Sequence, residues 1–147
     1  MRSFNIRVYG LLIENEKILV SDEYIKGNYI TKFPGGGLEL GEGTIDCLIR
    51  EFKEELDLKV KVTSHFYTTD FFVSSAFNIN SQVISIYYLV KAIGTSHYKV
   101  SETAFNFEKK REGAQSFRWI SLKEIKESNF TFVIDKRVAE LILESEI

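Results

Sequence analysis

The sequence predicts an α/β fold made of one domain. Several runs of β-branched and aromatic residues have the length of strands, and two segments repeat apolar residues at helical spacing. A chain of 147 residues is long enough to bury a core without disulfides or a structural metal. It leaves no room for a second domain of ordinary size.

The N-terminal part of the chain is predicted to form three strands. Residues 5–13 and 17–24 are rich in β-branched and aromatic side chains, and the polar turn 14–16 between them indicates a hairpin. Residues 29–33 form a short third strand, which leads into the glycine-rich segment 33–43. Because so many glycines favour irregular backbone, we expect a shaped turn there rather than regular structure.

An amphipathic helix is predicted directly after the glycine-rich segment. We expect Thr44 to be its N-cap, since a threonine hydroxyl can accept a hydrogen bond from the first free backbone N–H groups. Apolar residues then recur at i, i+3, i+4, i+7 and i+11. They are Ile45, Leu48, Ile49, Phe52 and Leu56. This spacing predicts a helix of about three to four turns with one buried face.

The remaining chain is predicted to add strands and two further helices. Strands are expected at residues 58–62, 65–73, 82–93 and 117–120. The third of these is apolar enough to lie in the centre of the sheet. A short helix capped by Ser121 is expected to end at Ile125, and the apolar residues within 133–142 predict a C-terminal helix.

Composition argues against several classes of function. A formal net charge of −2 provides no basic surface for polymeric nucleic acid. No window approaches the roughly 18 apolar residues of a membrane span, and the start of the chain lacks a secretory apolar core. The single cysteine, Cys47, cannot form an internal disulfide and is expected to be a small helix residue rather than a nucleophile. We therefore expect a cytoplasmic protein without a membrane partner.

Three carboxylates are expected to share one patch of the predicted helix. Glu51, Glu54 and Glu55 lie three and four positions apart, which places them on one sector beside the apolar stripe. Like charges this close repel one another, so a cation is expected to compensate them. Carboxylate oxygens favour Mg2+ or Mn2+ over zinc. Arg50 stands at the i,i+4 spacing from Glu54 and is expected to pair with it and orient it.

Taken alone, the charged run 50–55 also fits a solvated helix face, because such runs are common. The glycine-rich segment before it favours a site. The pattern has six polar or glycine positions at fixed spacing, and each has a background frequency of about one in fifteen. A match by chance is expected on the order of once in 10^7 starting positions in a sequence. Glycine backbone can approach a metal or a phosphate closely because no Cβ stands in the way.

The spacing of these residues resembles the Nudix box, G-x5-E-x7-R-E-U-x-E-E-x-G-U, in which U is a bulky apolar residue. The matching positions are Gly36, Glu42, Arg50, Glu51, Phe52, Glu54, Glu55 and Leu58. Asp57 departs from the pattern, since it stands where the family has glycine. The resemblance covers the box and its flanks. It implies a Nudix-type α/β/α sandwich around a mixed β-sheet, and Mg2+-dependent hydrolysis of a nucleoside diphosphate linked to another group.

The resemblance also implies roles for individual residues. The expected metal ligands are Glu51, Glu54, Glu55, the backbone carbonyl of Gly35 or Gly36, and Glu112. The expected catalytic residues are Glu51, Glu54 and Arg50, with Glu51 or Glu54 as the general base. The expected substrate contacts are Gly35, Gly36, Gly37 and Glu42, and Glu42 is also expected to brace the loop against the helix.

Some of these roles have alternatives. Glu112 lies seven residues before Trp119 and either reaches the metals or is a solvated loop acid. Asp57 falls at the helix exit, where the backbone commonly turns left-handed, and aspartate tolerates that conformation better than most residues. A group of aromatic residues is expected to pack in the core by default, although one or two could stack on a nucleobase. They are Phe66, Tyr67, Phe71, Phe72 and Phe77.

The sequence leaves the exact function open in two respects. A nucleoside triphosphate, ADP-ribose, a nucleotide sugar and a dinucleoside polyphosphate all fit as substrates, because the box does not encode substrate identity. The alternative to an enzyme is a nucleotide-binding or sensor module of the same fold without significant hydrolysis. A homodimer is suggested by the family resemblance alone.

Overall fold

The computed structural model describes residues 2–94, 99–145 and 147, and it confirms the α/β class. The chain divides into two compact units. One unit contains Met1–Leu11 and Gly35–Ser96 and is called the box unit here, because it carries the Nudix-like residues. The other contains Leu12–Pro34 and His97–Ile147 and is called the hairpin unit. The organisation into one domain stays a prediction.

Seven strands and two α-helices are formed within the described residues. The strands are β1 (Ser3–Glu14), β2 (Lys17–Ile25), β3 (Asn28–Lys32), β4 (Gly35–Gly37), β5 (Val60–Thr68), β6 (Ser81–Ala92) and β7 (Ala114–Ser121). The helices are α1 (Thr44–Leu56) and α2 (Val133–Glu144), and a 3-10 turn covers Glu127–Asn129. Neither α-helix, nor any other described helix, is long and apolar enough to cross a membrane.

The sheet of the box unit has the order β4-β1-β6-β5. Strand β6 lies between two others, which confirms the prediction that this apolar segment is central. Strand β5 replaces the two separate strands predicted at 58–62 and 65–73. Its register against β6 shifts twice, between Val62 and Ser64 and between His65 and Tyr67. These shifts interrupt the alternation of inward-facing and outward-facing side chains along the strand. The sequence pattern therefore predicts two strands, although β5 is continuous.

Helix α1 packs on the sheet, but its buried face is rotated about the helix axis relative to the predicted apolar stripe. Leu48, Phe52 and Leu56 are buried, and Cys47 is buried with them. The prediction of burial is wrong for two members of the stripe, because Ile45 and Ile49 are 47% and 37% exposed. The helix approaches β1 at Gly10, where an added Cβ would lie 2.6 Å from the Phe52 ring. Glycine at this position therefore allows the close packing of helix on strand.

The two ends of α1 differ in how well the sequence predicts them. Gly43 is the N-cap, so the prediction for Thr44 is wrong by one residue. Thr44 instead shares a 2.7 Å hydrogen bond between its hydroxyl and that of Tyr88 on β6. Asp57 has φ 49° and ψ 38°, which confirms the left-handed exit. Its N–H donates to the Lys53 carbonyl, and the N–H of Leu58 donates to the Phe52 carbonyl, closing the helix end.

The hairpin unit is built around β2, which pairs antiparallel with both β3 and β7. The turn from β1 to β2 has positive φ at Asn15 and Glu16, as a two-residue hairpin of matching twist requires. The helix predicted from Ser121 to Ile125 is wrong, since Ser121 ends β7 and residues 122–124 form a turn. The N–H of Leu122 still donates to the Glu16 carbonyl, which extends the strand pairing past the expected helix start. The predicted C-terminal helix is confirmed as α2, which buries Ile134, Val138, Ala139 and Ile142.

Candidate active site

The glycine-rich segment of the box unit begins as a strand. Gly35–Gly37 forms β4, which pairs antiparallel with β1 so that Gly36 lies opposite Val8. The expectation of an entirely irregular segment is therefore wrong over these three residues. The pairing continues to the N–H of Leu38, which donates to the Ile6 carbonyl at 2.9 Å. Because β4 is held to β1, the backbone leading to α1 has a fixed starting point.

The Glu51 carboxylate lies directly against Gly36. A Cβ built on Gly36 would be 2.5 Å from the carboxyl carbon and one oxygen of Glu51, and 2.7 Å from the other oxygen. The Glu51 side chain is 12% exposed, so it is largely enclosed between strand and helix. Glycine is required here because any larger residue would take the space that the carboxylate occupies. Two box positions 15 apart in the sequence therefore form one contact.

Arg50 is the centre of the carboxylate group. Its Nε and Nη2 donate to the two oxygens of Glu42 at 3.0 and 2.7 Å, a bidentate pair. Its Nη1 donates to Glu51 at 3.0 Å and to Glu54 at 3.2 Å. Nη2 also donates to the Gly37 carbonyl at 3.1 Å and to the Cys47 sulfur at 3.7 Å. The expected pairing with Glu54 is present, but Glu42 is the partner with the better geometry.

Glu42 joins the loop to the helix, as the sequence predicted. Besides the pair with Arg50, its carboxylate accepts a 2.9 Å hydrogen bond from the N–H of Glu39. The Arg50 hydrogen bonds, followed by that from Glu39, lower the pKa of Glu42 to about 2. Glu42 is therefore ionised throughout the physiological pH range. Its fixed negative charge holds Arg50 among the other carboxylates.

Cys47 lies beside this network, and its sulfur accepts a 3.7 Å contact from Nη2 of Arg50. Its thiol donates to the Gly37 carbonyl at 3.5 Å and is fully buried. Burial, followed by the hydrogen bond with Glu42, raises the pKa of Cys47 to about 12. The thiolate form that reacts with electrophiles is thus suppressed at neutral pH. This agrees with the prediction of a small helix residue.

The other two box glutamates are more accessible. The Glu54 side chain is 59% exposed, and Glu55 is half-buried on the same helix. In the described part of the chain, no group of three or more His, Cys, Asp or Glu side chains is arranged to hold a metal ion. The carboxylates of Glu42, Glu51 and Glu54 converge on the guanidinium of Arg50 instead. The donor chemistry, a set of carboxylate oxygens beside glycine backbone, still suits a hard divalent cation.

Glu112 belongs to the hairpin unit and has a structural contact there. Both of its carboxylate oxygens accept hydrogen bonds from the N–H of Lys26, at 2.5 and 3.0 Å. Its role as a metal ligand stays a prediction.

Two residues of the site were not found from the sequence. Glu39 places an oxygen 3.7 Å from Arg50 and its N–H on Glu42. Tyr88 holds the first residue of α1 through the hydroxyl of Thr44. Glu39 stood in the glycine-rich segment three residues before Glu42, a spacing that could have drawn attention to it. No local signal links Tyr88 to a helix 44 positions earlier.

Comparisons with known proteins identify one family. The NUDIX domain model matches residues 4–141, which is most of the chain. No curated protein is significantly similar to it.

Solved structures share the fold at low sequence identity. The solution structure of the E. coli ORF135 protein has 17% identity and a TM-score of 0.71, covering 98% of this chain and 91% of its own. A MutT NUDIX hydrolase from Burkholderia pseudomallei has 16% identity and a TM-score of 0.70, with full coverage of both chains. An ADP-ribose pyrophosphatase from Streptococcus suis has 19% identity and a TM-score of 0.62, covering 97% and 94%.

A family match over residues 4–141, a mixed α/β fold shared with Nudix structures and the box residues gathered around Arg50 lead to one conclusion. The chain belongs to the Nudix hydrolase family.

Proposed function

We propose that this protein is a divalent-metal-dependent hydrolase that cleaves a nucleotide-type diphosphate by attack of water on phosphorus. The observation that supports it most is the Glu51 carboxylate, which is enclosed against Gly36 and tied through Arg50 to Glu42 and Glu54. On a solvated helix face, the carboxylate would extend into water rather than occupy the space beside a glycine. The arrangement is therefore that of a preorganised, negatively charged site.

The residues that would hold a metal are the carboxylates of α1 and the adjacent glycine backbone. We propose Glu51, Glu54 and Glu55 as ligands, together with the carbonyl of Gly35 or Gly36. A divalent cation held there would neutralise charge on the phosphoryl oxygens and would make the attacking water more acidic. Glu54 is more than half exposed, so its side chain can change rotamer away from Arg50 at little cost.

The residues of the box have different roles in the proposed reaction. Glu51 is enclosed and fixed, which suits a group that must keep a constant position. Glu54 is accessible and can exchange a proton with water, so both glutamates are candidates for the general base. Arg50 holds the carboxylates together and balances their charge. We propose that the backbone of β4 contacts the substrate phosphates and that Glu42 contributes by holding Arg50 in place.

The substrate is proposed as a class. The MutT hydrolase and the ADP-ribose pyrophosphatase among the structural neighbours, and a UDP-X diphosphatase of 17% identity, share a fold with this chain. Their differing names show that this fold serves several nucleotide substrates. The panel for this protein consists of the four substrates that the box leaves open: a nucleoside triphosphate, ADP-ribose, a nucleotide sugar and a dinucleoside polyphosphate.

The experiment that tests the proposal is hydrolysis of that panel with Mg2+ and with EDTA, followed by separation of the products by chromatography. We expect at least one member to be split at its diphosphate in the presence of Mg2+ and to stay intact with EDTA. Tight binding of a panel member without turnover would contradict the hydrolase and support the sensor alternative. Turnover that EDTA does not reduce would contradict the metal dependence.

A further inference from the structure

The hairpin unit carries an aromatic cluster that the proposed chemistry does not use. It consists of Tyr24, Tyr29, Phe105 and Phe107. The ring centroids of Tyr24 and Tyr29 are 5.2 Å apart, and those of Tyr29 and Phe105 are 5.1 Å apart. The rings of Tyr29 and Phe107 are nearly parallel, at 7° with centroids 6.5 Å apart. Tyr29 is 48% exposed, and the other three rings are partly exposed.

A positive charge lies on the surface of this cluster. The Nζ of Lys110 is 5.1 Å from the centroid of the Tyr24 ring and 5.0 Å from that of Tyr29. Both distances are within the range of a cation–π contact. The Lys110 side chain is exposed, so its ammonium remains available to an anion in solution. A partly exposed aromatic cluster and a cation are thus presented together.

Phe105 contributes its ring to the cluster from an unfavourable backbone conformation. Phe105 has φ 55°, in the left-handed region that bulky residues rarely adopt. Its N–H donates to the Asp22 carboxylate at 3.1 Å, and Asp22 is fully buried. The same carboxylate accepts hydrogen bonds from Arg118 and Thr31, both at 2.7 Å. A buried charged network therefore fixes the strained residue in place.

The end of this loop is also fixed. The Glu112 carboxylate accepts hydrogen bonds from the N–H of Lys26 at the tip of the β2–β3 hairpin. The N–H of Gly113 donates to the Tyr24 carbonyl at 2.9 Å. Since the loop is tied at Phe105 and again at Glu112, the rings are positioned before any ligand arrives. Such preorganisation lowers the entropic cost of binding.

The physical features of the cluster favour a ligand that combines a flat ring with negative charge. A cluster that served only as a small core would bury its rings, whereas Tyr29 keeps about half of its surface in water. Exposed aromatic faces bind flat rings by stacking, and the nearby ammonium favours a ligand with negative charge. We propose that the aromatic cluster binds the base of a nucleotide and that Lys110 attracts its phosphate. The choice of a nucleotide as ligand rests on the proposed function.

The test uses AMP as the probe, in the full-length protein with EDTA present. AMP contains no diphosphate bond, so its binding is independent of hydrolysis. Stacking on the cluster is expected to shift the H2 and H8 proton resonances of AMP upfield in NMR titrations. Ribose 5-phosphate, which lacks the base, is expected to bind at least about tenfold more weakly. Equal binding of the two, or absence of AMP binding, would overturn the proposal.

Variants locate the binding surface. Phe107→Leu and Tyr29→Leu are each expected to raise the Kd of AMP by about fivefold or more and to reduce the upfield shifts. Phe4→Leu removes an aromatic ring that is 65% exposed on β1 and is the matched control. Two variants are used so that one remains informative if the other misfolds. Their melting temperatures show whether each variant is folded. Unchanged Kd and unchanged shifts in both folded variants would contradict the proposal.

The charge is tested separately. Lys110→Gln is expected to weaken AMP by about threefold or more while leaving adenosine unchanged, because only AMP carries the phosphate. Lys109→Gln, the adjacent exposed lysine, is the control. Equal losses for AMP and adenosine would contradict the role of Lys110. If AMP binds as expected while no diphosphate is hydrolysed, the binding site stands and the proposed hydrolase fails.

Discussion

Among the individual residues, Arg50 and Gly36 decide how the candidate active site is arranged. Arg50 donates to three carboxylates, and Gly36 leaves the space that one of them occupies. The box pattern predicted both residues, because each has a fixed spacing from the others. It did not predict that Glu42 is the bidentate partner of Arg50, since that contact depends on how the loop 38–43 folds back onto α1.

Replacement of Gly36 by alanine tests the contact with Glu51. The new Cβ would displace the Glu51 carboxylate, which can move because it is the end of a flexible side chain. We expect turnover to fall by about tenfold to 100-fold, since misplacement of a reacting group by about 1 Å has effects of that size. The melting temperature should change little. Steady-state kinetics and thermal unfolding measure the two effects.

The control for this variant is Gly43→Ser. Gly43 is the N-cap of α1, where serine is favourable, and a Cβ there meets only ordinary contacts. Activity should be retained. If Gly36→Ala kept full activity, the enclosed position of Glu51 would have no part in turnover.

Glu42 gives a prediction about pH. Its folded-state pKa of about 2 lies below its ordinary value of 4.5, so the ionised form stabilises the fold. This contribution is present above about pH 4.5 and is lost as the pH falls towards about 2. Glu42→Gln removes it, so the free energy of unfolding should fall less steeply below pH 4.5 than in the wild type. Urea unfolding in EDTA at several pH values measures this slope, with Glu124→Gln as an exposed control. Equal slopes in Glu42→Gln and wild type would contradict the structural role of Glu42.

At the scale of secondary structure elements, local patterns predicted what depends on local interactions. The apolar spacing predicted α1 and α2, and β-branched runs predicted β1, β2 and β6. The prediction failed where distant pairing decides the conformation. Gly35–Gly37 is a strand because β1 provides hydrogen-bonding partners, although glycine itself does not favour strands. Residues 122–124 form a turn because Leu122 bonds to Glu16, more than 100 positions away.

The exit of α1 can be tested with three substitutions of Asp57. Glycine adopts the left-handed conformation more easily than aspartate, but it loses the exposed pair between Asp57 and Lys53. We expect Asp57→Gly to leave the melting temperature unchanged or raise it by about 2–4 °C. Asp57→Ala should lower it, because alanine has neither advantage. Asp57→Asn separates the charge from the backbone preference. A clear loss of stability in Asp57→Gly would show that the Lys53 pair outweighs the backbone conformation.

At the scale of the whole molecule, the family is established by a match that runs through both compact units. The sequence predicted this family from 23 positions, because the box combines loop and helix residues that must meet in space. It could not predict the aromatic cluster of the hairpin unit. Tyr24 and Tyr29 come from β2 and β3, while Phe105 and Phe107 come from a loop about 80 positions later. The aromatic residues that the sequence suggested are in the box unit, where Phe71, Phe72 and Phe77 are exposed.

The most direct test of the central claim is the turnover of the best panel substrate by Glu54→Gln and Glu55→Gln at saturating Mg2+. Both side chains are at least partly accessible, so the variants should keep the fold and the melting temperature. We expect each to lose Mg2+-dependent turnover by about 10^2-fold or more, while Glu124→Gln keeps it. Full turnover in both variants would contradict the proposal that Glu54 and Glu55 take part in the reaction.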